Sequence, residues 1–315
     1  MIDLHRHLDG SLRPETLTDL ARDAGVAIDP TLRFHAGMGL EAALSCFAMT
    51  LSVLQSPRAV WRVAHEMCDD AEAEGVTTLE IRFAPQLHLG GTIDAIVDAA
   101  LQGIEGRAGL ILCGLYGEPP QSLEYLVKVA RNRPGVVGLD LAGGPAPGAR
   151  WGMADYARAF EQARDLGLGR TVHAGEGRPP AEIRVAIEQL HAQRIGHGTT
   201  LLDDPAVVAL VMEKGVTIEA CVTSNLHVGA IASLEDHPLS RWLDLGVRAT
   251  ICTDNVLFSQ VDAPEEYARV AALPGMAMAF RSPTTAACPT ARRQRSRIPR
   301  ARHSPRWCTT AAARS

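Results

Sequence analysis

Residues 170–201 read RTVHAGEGRPPAEIRVAIEQLHAQRIGHGTTL. Two short apolar runs, RTVHAGE (170–176) and RIGHGTTL (194–201), each close in polar or glycine residues, and a helix-like segment opening at Pro179-Pro180 lies between them. Proline suits the first turn of a helix, where its missing N–H has no partner to lose. The unit therefore reads as strand, helical crossover, parallel strand. Moving outward, the alternation recurs in IDLHRHL (2–8), TTLEIRFAP (77–85), GLILCGLY (109–116), VVGLDLAGG (136–144), TIEACVTSN (217–225) and RATICTDN (248–255). In PRAVWRVAHEMCDDAEAEG, Val60, Val63, Ala64, Met67, Cys68 and Ala71 repeat at helical spacing and Gly75 marks the stop. Pro14 and Pro57 open other helices. Eight such units predict an α/β fold, a closed (β/α)₈ TIM barrel, with residues 9–76 as an elaborated first connection. An open doubly wound sheet is the alternative, but it leaves chemistry contributed by so many strands unexplained.

Composition narrows the class. The 315 residues, 46% of them hydrophobic, suffice for one large core. No segment approaches the ~20 apolar residues that span a bilayer, and the strand-like opening lacks the pattern of a secretory signal, so a soluble cytoplasmic protein is expected. Seven scattered cysteines without a CxxC read as reduced thiols. The net charge of −5 hides an asymmetry: residues 267–315 hold ten arginines and no acid, which leaves −15 on the remainder. An acidic body offers duplex nucleic acid or an anionic membrane no attraction, so neither is expected as a partner. The chain divides into a catalytic barrel, 1–272, and an Arg/Pro-rich tail, 273–315, that lacks apolar periodicity and predicts no fold. Its composition is that of an out-of-frame reading of a GC-rich gene.

Polar residues collect where a barrel places its active site, at the C-terminal strand ends. His5 and His7 lie two apart on the first strand and so face one side. HAGE adds His173 and Glu176, GHG adds His197 and CTDN adds Asp254. Together they supply three imidazoles and a carboxylate for a divalent metal, with a glutamate and a histidine to spare. Zinc suits that donor set, and Fe, Mn and Co share its ligand types.

HRHLDGS, RFAP, DLAGG, HAGE, RIGHG, TSN and TDN, in this order over residues 1 to about 270, resemble the adenosine deaminase family of the amidohydrolase superfamily. The resemblance implies one zinc ion per chain held by His5, His7, His173 and Asp254. It implies Glu176 as the proton donor and His197 as the residue that activates or steadies the attacking water. Asp9 would hold a ribose 5′-hydroxyl, the Gly143 N–H would meet purine N3, and Asn255 would face N7, with His7 also beside the substrate. The implied substrate is a small-molecule purine nucleoside, adenosine or 2′-deoxyadenosine. 6-Aminodeoxyfutalosine and adenine are the alternatives, and a non-catalytic binding protein is a more remote one. Two positions depart from the family pattern: Asn255 stands where a second aspartate is usual, and Gly144-Pro145 where an acid commonly follows the glycine.

The chemistry gives these roles a physical basis. Hydration of an aromatic amidine carbon sacrifices aromaticity, and ammonia leaves poorly. A bound metal lowers the pKa of water from ~15.7 towards ~7, while a glutamic acid kept protonated by burial can protonate N1. A barrel hydrolase with a bridging lysine is disfavoured, because Lys128 and Lys214 both fall in helix-like segments. His35, His65, His88, His191, His227, His237 and His303 read as surface or satisfied loop residues. Asp203-Asp204-Pro205 reads as a helix start, and Ser224 and Asn225 as either supports for the metal face or a strand-end turn.

Overall fold

The computed structural model describes residues 1–144 and 148–276. Eight strands are present: β1 (Ile2–His7), β2 (Thr78–Phe83), β3 (Gly109–Leu115), β4 (Val136–Ala142), β5 (Gly169–Ala174), β6 (Arg194–His197), β7 (Thr217–Ala220) and β8 (Arg248–Ile251). They pair in chain order, all parallel. Closure occurs beside the site. The His7 N–H donates to the Asp254 carbonyl and the Asp254 N–H to that of His5, both at 2.8 Å. The expected (β/α)₈ TIM barrel is thus observed.

Twelve α-helices are found among the described residues. Before β2 lie α1 (Pro14–Ala24), α2 (Leu40–Val53) and α3 (Pro57–Ala73). Next come α4 (Ile93–Ile104), α5 (Pro120–Ala130), α6 (Ala157–Asp165), α7 (Ala181–Glu188) and α8 (Pro205–Lys214). Last come α9 (Val222–His227), α10 (Leu239–Leu245), α11 (Val256–Ser259) and α12 (Ala263–Ala271). Local chemistry explains several ends. Pro14, Pro57 and Pro205 occupy first turns, and Ser56 and Asp204 cap α3 and α8 by accepting backbone N–H groups. Asp204 is therefore the helix start that the sequence indicates. The TIEACVTSN run is strand only to Ala220; Val222–His227 turns helical, so Ser224 and Asn225 ride on α9 instead of a strand end.

Apolar residues fill the space between sheet and helices, with Val60, Val63, Ala64, Met67 and Cys68 of α3 facing inward. The five cysteines among the described residues are free and buried. No helix among the described residues is long and apolar enough to cross a membrane. Leu273 and Met276, beyond the expected barrel boundary, are buried in the core; the rest of the Arg-rich tail lies outside the described residues.

The barrel lumen is not an apolar stack. Glu80, Arg82, Asp140, Thr171, Arg194 and Glu219 are all buried within it. Arg82 pairs with Asp140 at 2.9 Å and Glu219 at 2.8 Å, and Arg194 pairs with Glu219 at 2.7 Å and with Glu80. Two guanidinium groups thus face three carboxylates, a formal surplus of one negative charge beneath the C-terminal rim.

Candidate active site

Four imidazoles meet at that rim. The His5 ring centre lies 5.2, 4.6 and 5.1 Å from those of His7, His173 and His197. Asp254 enters from the turn after β8, its Oδ1 3.4 Å from His7 Nε2 and 3.6 Å from His5 Nε2. His7 Nε2 stands 3.3 Å from His173 Nε2. Two of these residues hold left-handed backbone, His197 at φ 70° and Asp254 at φ 62°. Such conformations cost non-glycine residues ~1–3 kcal/mol and persist where the surroundings enforce them. For Asp254 the enforcing contacts are the two barrel-closing hydrogen bonds. Gly196 makes room for His5, since a Cβ there would stand 2.9 Å from the imidazole Cε1.

Behind the rings, carboxylates set the tautomers. His5 Nδ1 lies 2.7 Å from Glu219 and His173 Nδ1 3.1 Å from Asp140. An ionised carboxylate only accepts, so each ring places a proton on Nδ1 and turns its Nε2 to the rim. Burial, followed by Arg82 and the neighbouring imidazoles, holds His5 well below the usual histidine range. Burial with His173 close by does the same for His7 and His197. At His173 burial also opposes charge, but Asp140 outweighs it and the pKa is raised. Asp140 is likewise opposed by burial, yet His173 and Arg82 hold it well below the carboxylate range.

This arrangement fits a divalent transition ion. His5 Nε2 is buried without a hydrogen-bond partner. His5, His7 and Asp254 offer donor atoms within 4.8 Å of one another, as do His5, His173 and His197. Imidazole nitrogens with one carboxylate suit zinc, and the surplus negative charge below them favours a cation.

A small inner chamber opens on the cluster, lined by His7, Gly143, His173, Glu176, His197, Asp254 and Asn255. It adjoins a cavity of about 270 Å³ walled by Leu44, Phe47, Leu51, Leu87, Leu115 and Tyr116, with Asp9 and Gly143 at its polar side. The Glu176 carboxyl is 3.3 Å from His197 Nδ1. Burial, reinforced by the Asp254 charge, pushes its pKa up to about 8. Burial likewise raises Asp9 to about 7, and Asp9 Oδ1 has no hydrogen-bond partner. Asn255 is buried against Gly10, where a Cβ would stand 1.9 Å from its Oδ1. All the residues singled out in the sequence therefore converge: Asp9 in the outer cavity, His5 beneath the rim and the rest around the chamber.

Sequence reasoning missed the supports. The sequence assigns no role to Glu80, Arg82, Asp140, Arg194 or Glu219, although charges at alternate positions of otherwise apolar runs, as in TTLEIRFAP, are the available signal. Ser224 hydrogen-bonds the Asp254 carboxylate and Asn225 the His197 ring, so both support side chains of the candidate metal face. Of the histidines read as surface or satisfied loop residues, His65 and His227 lie in helices. His88 is buried and bonded to the Leu54 carbonyl. His237 is buried and bonded to Asn225. His303 lies outside the described residues.

Comparison with known proteins agrees with this geometry. The family model described as "Adenosine deaminase" matches residues 1–282. An adenosine deaminase of Klebsiella pneumoniae (strain 342) is 37% identical over 299 residues, covering 88% of either chain. Among solved structures, the N6-methyl-AMP deaminase of Arabidopsis thaliana superposes with a TM-score of 0.76 at 25% identity, over 88% of this chain and 86% of that one. The adenine deaminase of Arthrobacter aurescens gives 0.76 at 24% identity over 86% of each. With a metal-suited donor cluster, a protonated buried acid beside it and sequence identity of this extent, the chain belongs to the adenosine deaminase family and is a hydrolytic deaminase acting on C–N bonds.

Proposed function

We propose that the protein removes the 6-amino group of an adenine nucleoside, adenosine or 2′-deoxyadenosine, to give the 6-oxo product and ammonia, with one zinc ion as resident metal. The observation that carries this reading is the Glu176 carboxyl, held near pKa 8 and so protonated at neutral pH, facing the imidazoles of His7, His173 and His197. His5, His7, His173 and Asp254 would hold the ion. Zinc in that position supplies Lewis acidity that makes water a competent nucleophile near neutral pH.

The chain's own groups do the rest. Glu176 gives its proton to N1, which draws electrons from C6 and opens it to attack. His197 steadies the attacking water on one side, and Asp254 lies on the other. The apolar walls exclude bulk solvent and seat the flat base, while the Gly143 N–H meets N3. Asn255 faces N7, where its amide donates at any pH; the family's usual aspartate donates only while protonated.

Two observations favour a nucleoside over its neighbours' substrates. Asp9 Oδ1 is buried and unpartnered, which asks for a hydroxyl donor and so for a ribose rather than a bare base. The described lining of the larger cavity contains no lysine or arginine, and its one acid would repel a 5′-phosphate. Ammonia release should therefore be measured on zinc-loaded protein with adenosine, 2′-deoxyadenosine, adenine, AMP and 6-aminodeoxyfutalosine. Turnover of adenosine or its 2′-deoxy form at least tenfold above the other three supports the reading. Preference for adenine, AMP or 6-aminodeoxyfutalosine overturns it.

A further inference from the structure

His197 is supported by a chain of hydrogen bonds whose direction is fixed at its far end. The Leu239 backbone N–H, at the start of α10, lies 3.2 Å from His237 Nδ1. A backbone N–H can only donate, so Nδ1 of His237 bears a lone pair and its proton sits on Nε2. That Nε2 is 3.3 Å from Asn225 Oδ1, which must accept. The Asn225 amide is thereby oriented with Nδ2 outward, 2.9 Å from His197 Nδ1. An amide nitrogen donates, so His197 Nδ1 carries a lone pair and the ring's proton is on Nε2.

We infer that His237 and Asn225 are positioning residues that set the tautomer of His197, making its Nε2–H a hydrogen-bond donor within the metal-ligand cluster. Neither residue touches the substrate cavities. His237 and Asn225 are buried, and the His237 ring is held edge-on to Trp242 with centres 5.3 Å apart. Burial also lowers the His237 pKa to about 3, which keeps the ring neutral with a single proton. Glu176, 3.3 Å from the same His197 Nδ1, also accepts from the Asn225 amide, whose two N–H groups serve the imidazole and the carboxyl together.

The relay gives His197 a definite task. A neutral imidazole that presents N–H to an attacking water orients its oxygen and cannot also take its proton. The opposite tautomer would present a lone pair, which accepts a proton from the water instead of orienting its oxygen. A flipped Asn225 amide would produce that opposite tautomer, and His237 is what forbids the flip.

The inference takes the place of His197 beside the attacking water from the proposed function, yet its test does not depend on the substrate. Imidazole ¹⁵N chemical shifts of the full-length protein labelled at histidine report which nitrogen of His197 is protonated, with and without zinc. The expected result is protonation on Nε2 alone. His237→Leu should release the amide, introduce the Nδ1-protonated form and lower kcat ~10–100-fold with KM little changed. His237→Gln, whose side-chain amide can donate from a similar position, should restore both the shifts and most of kcat. Asn225→Asp, which presents only acceptors when ionised, should move the proton to Nδ1. Nδ1 protonation of His197 in the wild-type protein overturns the inference without any variant. So do unchanged His197 shifts in both the His237→Leu and the Asn225→Asp proteins. A correct tautomer in a protein that ignores adenosine would count against the proposed substrate and leave the relay standing.

Discussion

Glu219→Gln should weaken both the fold and the metal site, and the two losses are separable. The Glu219 carboxylate is buried, accepts from His5 Nδ1 at 2.7 Å, Arg82 at 2.8 Å and Thr171 at 3.1 Å, and forms an ion pair with Arg194 at 2.7 Å. Glutamine keeps the shape but has one acceptor oxygen, and its NH₂ meets groups that themselves donate. The formal balance in the lumen changes from two positive against three negative to two against two, while a guanidinium is left short of a partner. Breaking a buried ionic pair in this way costs ~3–5 kcal/mol. For a chain of this size that is a fall in Tm of roughly 10 °C. His5 also loses the acceptor that keeps its proton on Nδ1, so zinc affinity should drop ~10–100-fold. Thermal unfolding of metal-free protein reads the first effect, and chelator competition reads the second. Glu80→Gln is the control, because Glu80 pairs with Arg194 and lies away from the ligands; it should lower Tm with little change in zinc affinity. Equal weakening of zinc by both variants, or undiminished affinity in Glu219→Gln, would refute the assignment of Glu219 as the orienting partner of His5.

Three further outcomes are expected. His7→Ala should remove most of the bound metal, measured as metal per chain after dialysis, and full retention would take His7 out of the ligand set. The rate kcat/KM should be level below the Glu176 pKa and fall as pH rises through about 8, because the raised pKa keeps the catalytic proton on through neutrality and deprotonation above it removes the acid. Glu176→Gln should cut turnover ~10²–10⁴-fold with metal retained and abolish that limb; persistence of the limb would assign it to another group. Asn255→Leu should cost ~1–3 kcal/mol in kcat/KM on adenosine but little on an analogue with carbon in place of N7. Equal harm to both substrates would mean that Asn255 acts through the adjacent Asp254.

The fold and the first ring of site residues are legible in the sequence because both depend on periodic or local signals. Eight apolar runs with helical segments between them specify a parallel barrel. Within it, the strand ends are the positions where His5, His7, His173, His197 and Asp254 must gather. Spacing alone puts His5 and His7 on one face. What tertiary structure decided is the environment of those groups. Nothing local to Glu219 shows that it faces His5, two hundred residues earlier, or that Arg82 and Arg194 neutralise it. Those contacts arise only when the barrel closes and inward positions of different strands share one lumen. The same holds for Glu176, whose elevated pKa is a consequence of burial beside Asp254, and for His237, an unremarkable loop histidine in the sequence. Its bond to Asn225 exists because α9 and the segment before α10 fold over the rim. Side-chain direction along a strand follows from chain geometry, whereas burial, charge state and tautomer depend on which distant residues occupy the other side of the same small space.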